Sequence, residues 1–477
     1  MRKVIQYSIF IFSISLAILG CRRDIITTDS NDKLTFSTDT VHFDTVFATV
    51  GSSTKSFIVS NPHNKAIKIS SIKMKNGSTS FFRLNVDGLS GLSHSDVVIP
   101  ANDYIYVFVE VTIDPQNTNT PYVVEEQIEF ETNGNLQAVN LLAWGQKAIF
   151  HRPPAGYSAF AIGNEIWKSD TPHVVYGVAV VDSGYKLTIS AGAKVFFHGG
   201  STLYVNKHAT LEIQGNQSQI VELQGDRLDP EYEEIPGQWN GIYLSPLSKD
   251  NKIIYALIKN ATTGIQADTV NGSNPTLELR NSNIRNMSKI GLFARGAKIK
   301  VYNSTISNCG THCVALTIGG DYLFQHCDII DNWQSGYGQR KTSALIINNW
   351  FQATSLAYIP RDLVQAQFDN CIIYGNLEGE LTLSKNDGAL FNYEFNHCII
   401  KNDESKTPTT GIEFISCKIN QDPKFVNDAG DYHLNDNSPA IDAGDGAVVS
   451  ANLLRLAFDQ EGKSRSTSTP EIGALEK

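Results

Sequence analysis

The residues best equipped for chemistry gather in two stretches. Positions 333–361 hold Trp333, Tyr337, Arg340, Lys341, Trp350, Phe351, Tyr358 and Arg361. Aromatic faces stack on sugar rings, and guanidinium or ammonium groups pair with carboxylates or sulfates. These types together point to glycan binding, with Trp333, Tyr337, Arg340, Lys341, Trp350, Tyr358 and Arg361 expected to line a groove. On that reading, alanine at Arg340 and Arg361 weakens binding and leaves the fold intact. In the competing reading, Trp350 and Phe351 pack the stretch onto its own scaffold. Positions 225–237 hold Asp226, Asp229, Glu231, Tyr232, Glu233 and Glu234. Such a run reads first as a solvated acidic loop, and it can also supply the oxygen ligands that calcium needs. No other cofactor is implied.

Other reactive types are scattered. Asp328 and Asp331 are two carboxylates close in sequence, and glycoside hydrolysis would require such a pair on one flank. Each also reads as a turn cap or a solvated side chain. His173, His198 and His208 have no evident partner. His312-Cys313 and His326-Cys327 do not match zinc-site spacing. No glycine-rich phosphate loop or serine nucleophile elbow occurs. The net charge is −10, and without Arg2 and Lys3 it is −10 − 2 = −12. An acidic chain has no general attraction for nucleic acid, so no nucleic-acid partner is expected.

The scaffold for these residues announces itself by repetition. A small polar residue, then Cys, Ser or Ala, then any residue, then Ile recurs through positions 255–419. It reads Asn281-Ser282-Asn283-Ile284, Asn303-Ser304-Thr305-Ile306, His326-Cys327-Asp328-Ile329, Asn370-Cys371-Ile372-Ile373, His397-Cys398-Ile399-Ile400 and Ser416-Cys417-Lys418-Ile419. Tyr255-Ala256-Leu257-Ile258 is a looser copy. The spacings are 22, 23, 44, 27 and 19 residues, and the 44 reads as two periods with one phrase missing. The missing coil falls on the Trp333 to Arg361 stretch, and long insertions in solenoids become loops on one side. The phrases are rich in Ile, Val and Thr, so the unit is a strand. The period is too short for helix pairs and lacks a regular Leu signature, which leaves a parallel β-helix. Cys327, Cys371, Cys398 and Cys417 share one slot with Ser282 and Ser304. A shared slot implies a stack of small buried thiols rather than disulfides. Cys309 and Cys313 are close enough in sequence to pair.

The chain in order begins with Arg2-Lys3, an apolar run at 9–19, and Ile18-Leu19-Gly20-Cys21. This is the pattern of a lipoprotein leader at 1–20, with Cys21 as the lipidated residue and the membrane as its partner. Arg22 rather than Asp after the cysteine favours the outer membrane, with either face possible. Residues 21–32 read as a tether, and 33–150 as an antiparallel β-sandwich of alternating strands with an Asn133-Gly134 hairpin turn. Residues 151–420 form the β-helix and 421–477 a last coil and cap. The fold class is all-β.

Several phrases carry resemblances. Phe57-Ile58-Val59-Ser60-Asn61, Ile67-Lys68-Ile69 and Phe108-Val109-Glu110-Val111 resemble the immunoglobulin-like domains of bacterial surface proteins. The run at 185–223 and Gln238-Trp239-Asn240-Gly241-Ile242 resemble right-handed β-helix proteins with a pectate-lyase-like fold. Asp422-Pro423-Lys424-Phe425, Ser438-Pro439-Ala440-Ile441-Asp442-Ala443-Gly444 and Glu471-Ile472-Gly473-Ala474-Leu475 resemble the closing tail of exported β-helix proteins. Together they resemble Bacteroidetes-type exported lipoproteins, a likeness that implies architecture more than reaction. Phrases of polygalacturonase-like hydrolases and of lyases are absent. The leading expectation is an envelope protein binding glycan along the β-helix flank. The alternatives are a polysaccharide lyase or glycoside hydrolase, and a structural or adhesive stalk.

Overall fold

The computed structural model describes residues 25–47, 51–113, 122–268, 274–333, 338–354 and 357–477; the leader, Cys21 and Tyr337 lie outside them. The chain divides into two units, Met1–Lys147 and Ala148–Lys477.

The first unit is built on period-two burial. In Asp103–Val111, Ile105, Val107, Val109 and Val111 turn inward and their neighbours face water. Such a strand needs a second layer over its apolar face. A six-stranded and a five-stranded sheet provide the layers, with Phe57, Ile67, Phe82 and Phe130 in the shared core. Asn133 and Gly134, at φ 50° and 75°, make the two-residue turn between Tyr122–Thr132 and Asn135–Gln146. Left-handed φ at both turn positions is what Asn-Gly accommodates. The segment expected as a tether is tied down within the described residues, because Ile26–Thr27 pairs in parallel with Ala66–Met74.

In the second unit each coil contributes strands to three parallel sheets. Sheet 1 runs from Ile149–His151 to Lys418–Ile419, sheet 2 from Ala159–Ile162 to Leu381–Ser384, and sheet 3 from Glu165–Trp167 to Phe414–Ile415. The repeated phrase is the turn from sheet 3 into sheet 1. Its first residues, Tyr255, Asn281, Asn303, His326, Asn370, His397 and Ser416, all have φ between 42° and 52°. A left-handed backbone costs most side chains energy and costs Asn least, which explains the recurring Asn. The second residue stacks from coil to coil. Ser282 Oγ accepts Ala256 N at 3.1 Å, Ser304 Oγ accepts Ser282 N at 3.2 Å, and Cys398 Sγ accepts Cys371 N at 3.5 Å. All six cysteines in the described residues are free thiols, Cys309 and Cys313 among them. The fourth residue, Ile, fills the core.

The 44-residue spacing is a single enlarged coil. Asp328–Asp331 pairs directly with Ile372–Gly375, so no coil is missing. The extra length is spent at two corners. One insertion follows Asp331, and the other is a hairpin of Trp350–Thr354 and Ala357–Pro360.

The tail does more than close the last coil. It doubles back along the flank, taking hydrogen bonds from the turn residues in reverse order. Asn370 Oδ1 accepts Asp445 N at 2.7 Å, Asn303 Nδ2 donates to Arg455 O and Phe458 O at 3.0 and 2.9 Å, and Asn281 Nδ2 donates to Asp459 O at 3.2 Å. Gln217 then donates to Glu461 O. Phe425, Tyr432, Leu434 and Ile472 lie over Ile330, Ile372 and Ile399 on the outer side of sheet 1.

Candidate functional site

The returning tail, residues 425–477 and here called the strap, covers the later strands of sheet 1 and leaves earlier ones uncovered. The third residue of each phrase points outward there. Glu222, Leu257, Asn283 and Thr305 stand in register across four strands, with Arg285 and Ser307 in the next row. Where the strap covers the sheet the same position is Thr305, Asp328, Ile372 and Ile399, all buried, and Thr305 Oγ1 donates to Gln460 of the strap at 2.8 Å.

The open rows form the floor of a groove of about 1070 Å³. Asn286 and Asn308 add amides to it. One wall is the acidic insertion, through Glu234 and Pro236, and the other is the strap, through residues 428–433, Gln460 and Glu461. Tyr255, Trp333 and Tyr432 supply aromatic surface.

The two walls differ in charge balance. On the insertion side Arg285 forks onto Glu234 at 2.9 and 3.0 Å, and Lys259 lies 3.7 Å from the same carboxylate. Glu222 on the floor lies 3.6 Å from Lys194. On the strap side His433 stands between Asp431, at 2.6 Å from Nδ1, and Glu461, at 3.2 Å from Nε2. The Asp431 hydrogen bond, with help from Glu461, raises the His433 pKa against the pull of partial burial.

The residues singled out in the sequence go to different places. Trp333 lines the groove, held by its indole N–H on Gly338 O at 3.0 Å. Tyr337 is outside the described residues. Arg340 does not reach a surface. Its side chain is 1% exposed, forks onto Glu380 at 2.6 and 2.7 Å, and donates to Asp331 O and Thr342 O. The enlarged coil needs this interior cation to satisfy the buried Glu380 carboxylate, which also accepts Ala344 N and Leu377 N. An alanine at Arg340 therefore reads stability, and the expectation of an intact fold does not hold. Lys341 is exposed. Trp350, Tyr358 and Arg361 belong to the hairpin corner between sheets 2 and 3. Trp350 donates to Ser384 Oγ at 3.1 Å and meets Tyr358 edge-on, and Arg361 lies over Phe351. The six of these residues that are described are therefore split between two corners and the interior.

The acidic insertion does not converge on one point. Asp226 pairs with His198 at 2.7 Å, Asp229 with Arg227 at 3.3 Å, and Glu234 with Arg285. Glu231 and Glu233 are exposed, and the Glu233 carbonyl accepts Lys259 Nζ and Asn260 Nδ2. Among the described residues no three His, Cys, Asp or Glu side chains are grouped to hold a metal. Asp328 and Asp331 are buried, and burial pushes both carboxyls up to about 7. Neither stands on an open flank. His173 has a partner after all, His151 at 2.9 Å, as does His198.

Sequence reasoning missed the groove itself: Asn283, Thr305, Ser307, Asp428, His433 and Glu461. Asn283 and Thr305 occupy the phrase position read as any residue. Their polarity, against Ile372 and Ile399 in later copies, was the available signal.

Residues 240–400 match a family model described as a right handed beta helix region. No curated protein matches the chain. Among solved structures, the catalytic unit of a thermostable GH87 alpha-1,3-glucanase from Streptomyces thermodiastaticus is similar at 11% identity, with 72% of this chain and 73% of that one covered and a TM-score of 0.30. Pectate lyase Pel9A is similar at 12% identity, covering 69% and 88%, with a TM-score of 0.28. The PapD-like domain 7 of human CEP192 is similar at 9% identity over 27% of this chain and 92% of that domain, with a TM-score of 0.18. The chain spans 27% of the length of a family 123 glycoside hydrolase from Clostridium perfringens that it also matches. The second unit is a right-handed parallel β-helix, and the first is a β-sandwich.

Proposed function

We propose that this chain is a lipid-anchored protein of the outer membrane, attached through Cys21, that binds a glycan in the groove on sheet 1. The observation that carries the reading is the floor. The side chains of Glu222, Leu257 and Asn283 stand partly exposed and in register on three neighbouring strands, and strands in a sheet are about 4.8 Å apart. That spacing is close to the length of one pyranose ring. Polar groups on a rigid ladder, with aromatic surface at the walls, are the means by which proteins orient a sugar chain. The hairpin carrying Trp350, Tyr358 and Arg361 is a separate aromatic and cationic surface, and an Arg361→Ala variant tests its share.

The test is a glycan-array screen of the chain from residue 24 onward, with product analysis of every hit. Binding is expected with the glycan recovered intact, and Asn283→Trp, which fills the floor, is expected to abolish it. Binding that survives Asn283→Trp rejects the groove. Cleaved product makes the protein an enzyme, and the absence of any hit favours a stalk. For the anchor, Cys21→Ser is expected to move the protein from the membrane fraction to the soluble one. A protein that stays in the membrane rejects lipidation at that residue.

A further inference from the structure

The turn from sheet 3 into sheet 1 carries a column of four thiols, Cys327, Cys371, Cys398 and Cys417. Each stands one residue before the registered row of Asp328, Ile372, Ile399 and Lys418. The column therefore climbs one strand per coil, about 4.8 Å at a time. Cys371 N donates to Cys398 Sγ at 3.5 Å, and the Cys398 and Cys417 thiols are hydrogen-bonded to each other. The four differ in what surrounds them. Cys327, Cys371 and Cys398 are fully buried, each with a paired coil on both sides. Cys417 is partly exposed. The strands that flank it, Phe414–Ile415 and Lys418–Ile419, are last in sheets 3 and 1 and pair with no further strand among the described residues. The coil that carries Cys417 is therefore held by the solenoid on one face only. A disulfide needs Cα atoms about 4.4–6.8 Å apart and sulfurs drawn to about 2.05 Å. Registered neighbours on adjacent strands meet the first condition. The second requires one strand to shift toward the other. Between inner coils that shift pulls a strand away from the coil beyond it. At the last coil no paired strand lies beyond, and the shift is free of that cost.

We propose that Cys398 and Cys417 are a thiol–disulfide pair, oxidised by a small-molecule disulfide that reaches Cys417, and that their bond staples the open last coil onto the solenoid. Burial opposes ionisation of Cys398, but hydrogen bonds from Cys371 and Cys417 hold its pKa well below the ordinary thiol value, while the bond to Cys398 raises that of Cys417. The Cys417 proton crosses to Cys398 as Cys417 Sγ attacks one sulfur of the external disulfide R–S–S–R. A Cys417–S–S–R mixed disulfide forms, and the first R–S⁻ leaves and takes up that proton. Cys398 Sγ then attacks Cys417 Sγ, and the second R–S⁻ leaves as R–SH. Two protein thiols are oxidised and one external disulfide is reduced to two thiols. Disulfides of this kind persist in oxidising compartments, where the staple would replace the missing neighbour of the last coil.

The test uses the full chain carrying Cys21→Ser, which leaves 7 − 1 = 6 cysteines. The reduced, folded protein is incubated with oxidised glutathione and quenched with acid. Free thiols counted in denaturant are expected to fall from six to four per chain. Mass spectrometry should show the loss of two hydrogens and a single cross-link between positions 398 and 417, and dithiothreitol should restore all six thiols. Cys417→Ser should keep every remaining thiol. Cys398→Ser should stop at the mixed disulfide and carry one glutathione on Cys417. Protease cleavage between positions 401 and 413 should slow at least about threefold once the bond forms. Near-ultraviolet circular dichroism should be retained throughout, and a signal lost before the thiol count falls overturns the proposal. Six thiols remaining after oxidation overturn it, as does a cross-link at another pair such as Cys309 and Cys313. A dimer joined through Cys417 of two chains also overturns it. Unchanged cleavage of a correctly cross-linked chain overturns the stapling role.

Discussion

Arg340 shows what the interior asks of single residues in this fold. Its guanidinium sits among Glu380, Asp331 and backbone carbonyls with almost no exposure. Removing one partner of such a group strands a buried charge, which costs about 3–5 kcal/mol. Arg340→Ala is therefore expected to lower stability by that amount in denaturant titration, while Arg361→Ala, on an exposed residue, should change it little. Equal stability of the two variants would contradict the placement of Arg340. Titration is the second residue-scale consequence. Burial pushes Asp328 and Asp331 up to about 7, and burial together with Glu471 pushes Glu476 up to about 8. A carboxyl with a raised folded pKa keeps a proton that the unfolded chain has already released. It favours the folded state at low pH and loses that advantage as pH rises through the folded pKa. His326 and His151 are held neutral by burial, which destabilises only below the unfolded histidine value of about 6.5. Between about pH 6.5 and pH 8 the carboxyl slope remains, joined in the same direction by His433, whose raised pKa favours the folded state until pH passes it. The denaturant midpoint should fall across that window, and Asp328→Asn should flatten the fall. A midpoint that rises there would show that these carboxyls are not the groups in control.

At the scale of elements, the turn ladder and the strap depend on each other. Asn303 adopts φ 42°, donates twice to the strap and accepts Arg465 Nη2 at 3.2 Å. Asn303→Ala should cost about 1–2 kcal/mol for the left-handed backbone and a further loss of about 1–3 kcal/mol for the strap groups left without partners. The strap between positions 445 and 465 should then be cut early in limited proteolysis, before the coils. Unchanged cleavage would mean that the strap is held mainly by Phe425, Tyr432 and Ile472. The cysteine slot follows the same logic, because a serine already stands there in two coils. Cys371→Ser should be tolerated in stability measurements, whereas Cys371→Leu should overfill a fully buried position and cost about 1–3 kcal/mol.

At the scale of the molecule, each unit has a core of its own. The sandwich encloses Phe43, Phe82 and Phe130, and the solenoid runs a continuous core that includes the stacked rings of Phe324, Phe368 and Phe395. The fragment 25–147 is expected to fold alone, with a cooperative thermal transition and near-ultraviolet signal. Non-cooperative melting would mean that it needs the rest of the chain. A solenoid buries each coil only against its neighbours, so an acceptable binding face can be exposed anywhere along it. The strap decides where that face is, by covering the later strands of sheet 1 from Thr305 on and leaving the Leu257 and Asn283 rungs open.

The sequence alone determined the properties that are local. Period-two alternation specifies a sandwich strand, Asn at a left-handed turn specifies where each coil bends, and Ile and Cys at fixed offsets specify which atoms stack. Each of these depends on contacts within a coil or between adjacent copies of one phrase. Tertiary structure decided what depends on residues far apart. Asp328–Asp331 pairing with Ile372–Gly375 turned an apparent missing coil into one enlarged coil. Glu380, forty residues on, took Arg340 out of the binding set. The return of the chain from Asp428 to Glu461 placed its carboxylates opposite Asn283 and Arg285. Local spacing holds no record of a segment that folds back across several coils. The groove exists because that segment ends where the open rungs begin.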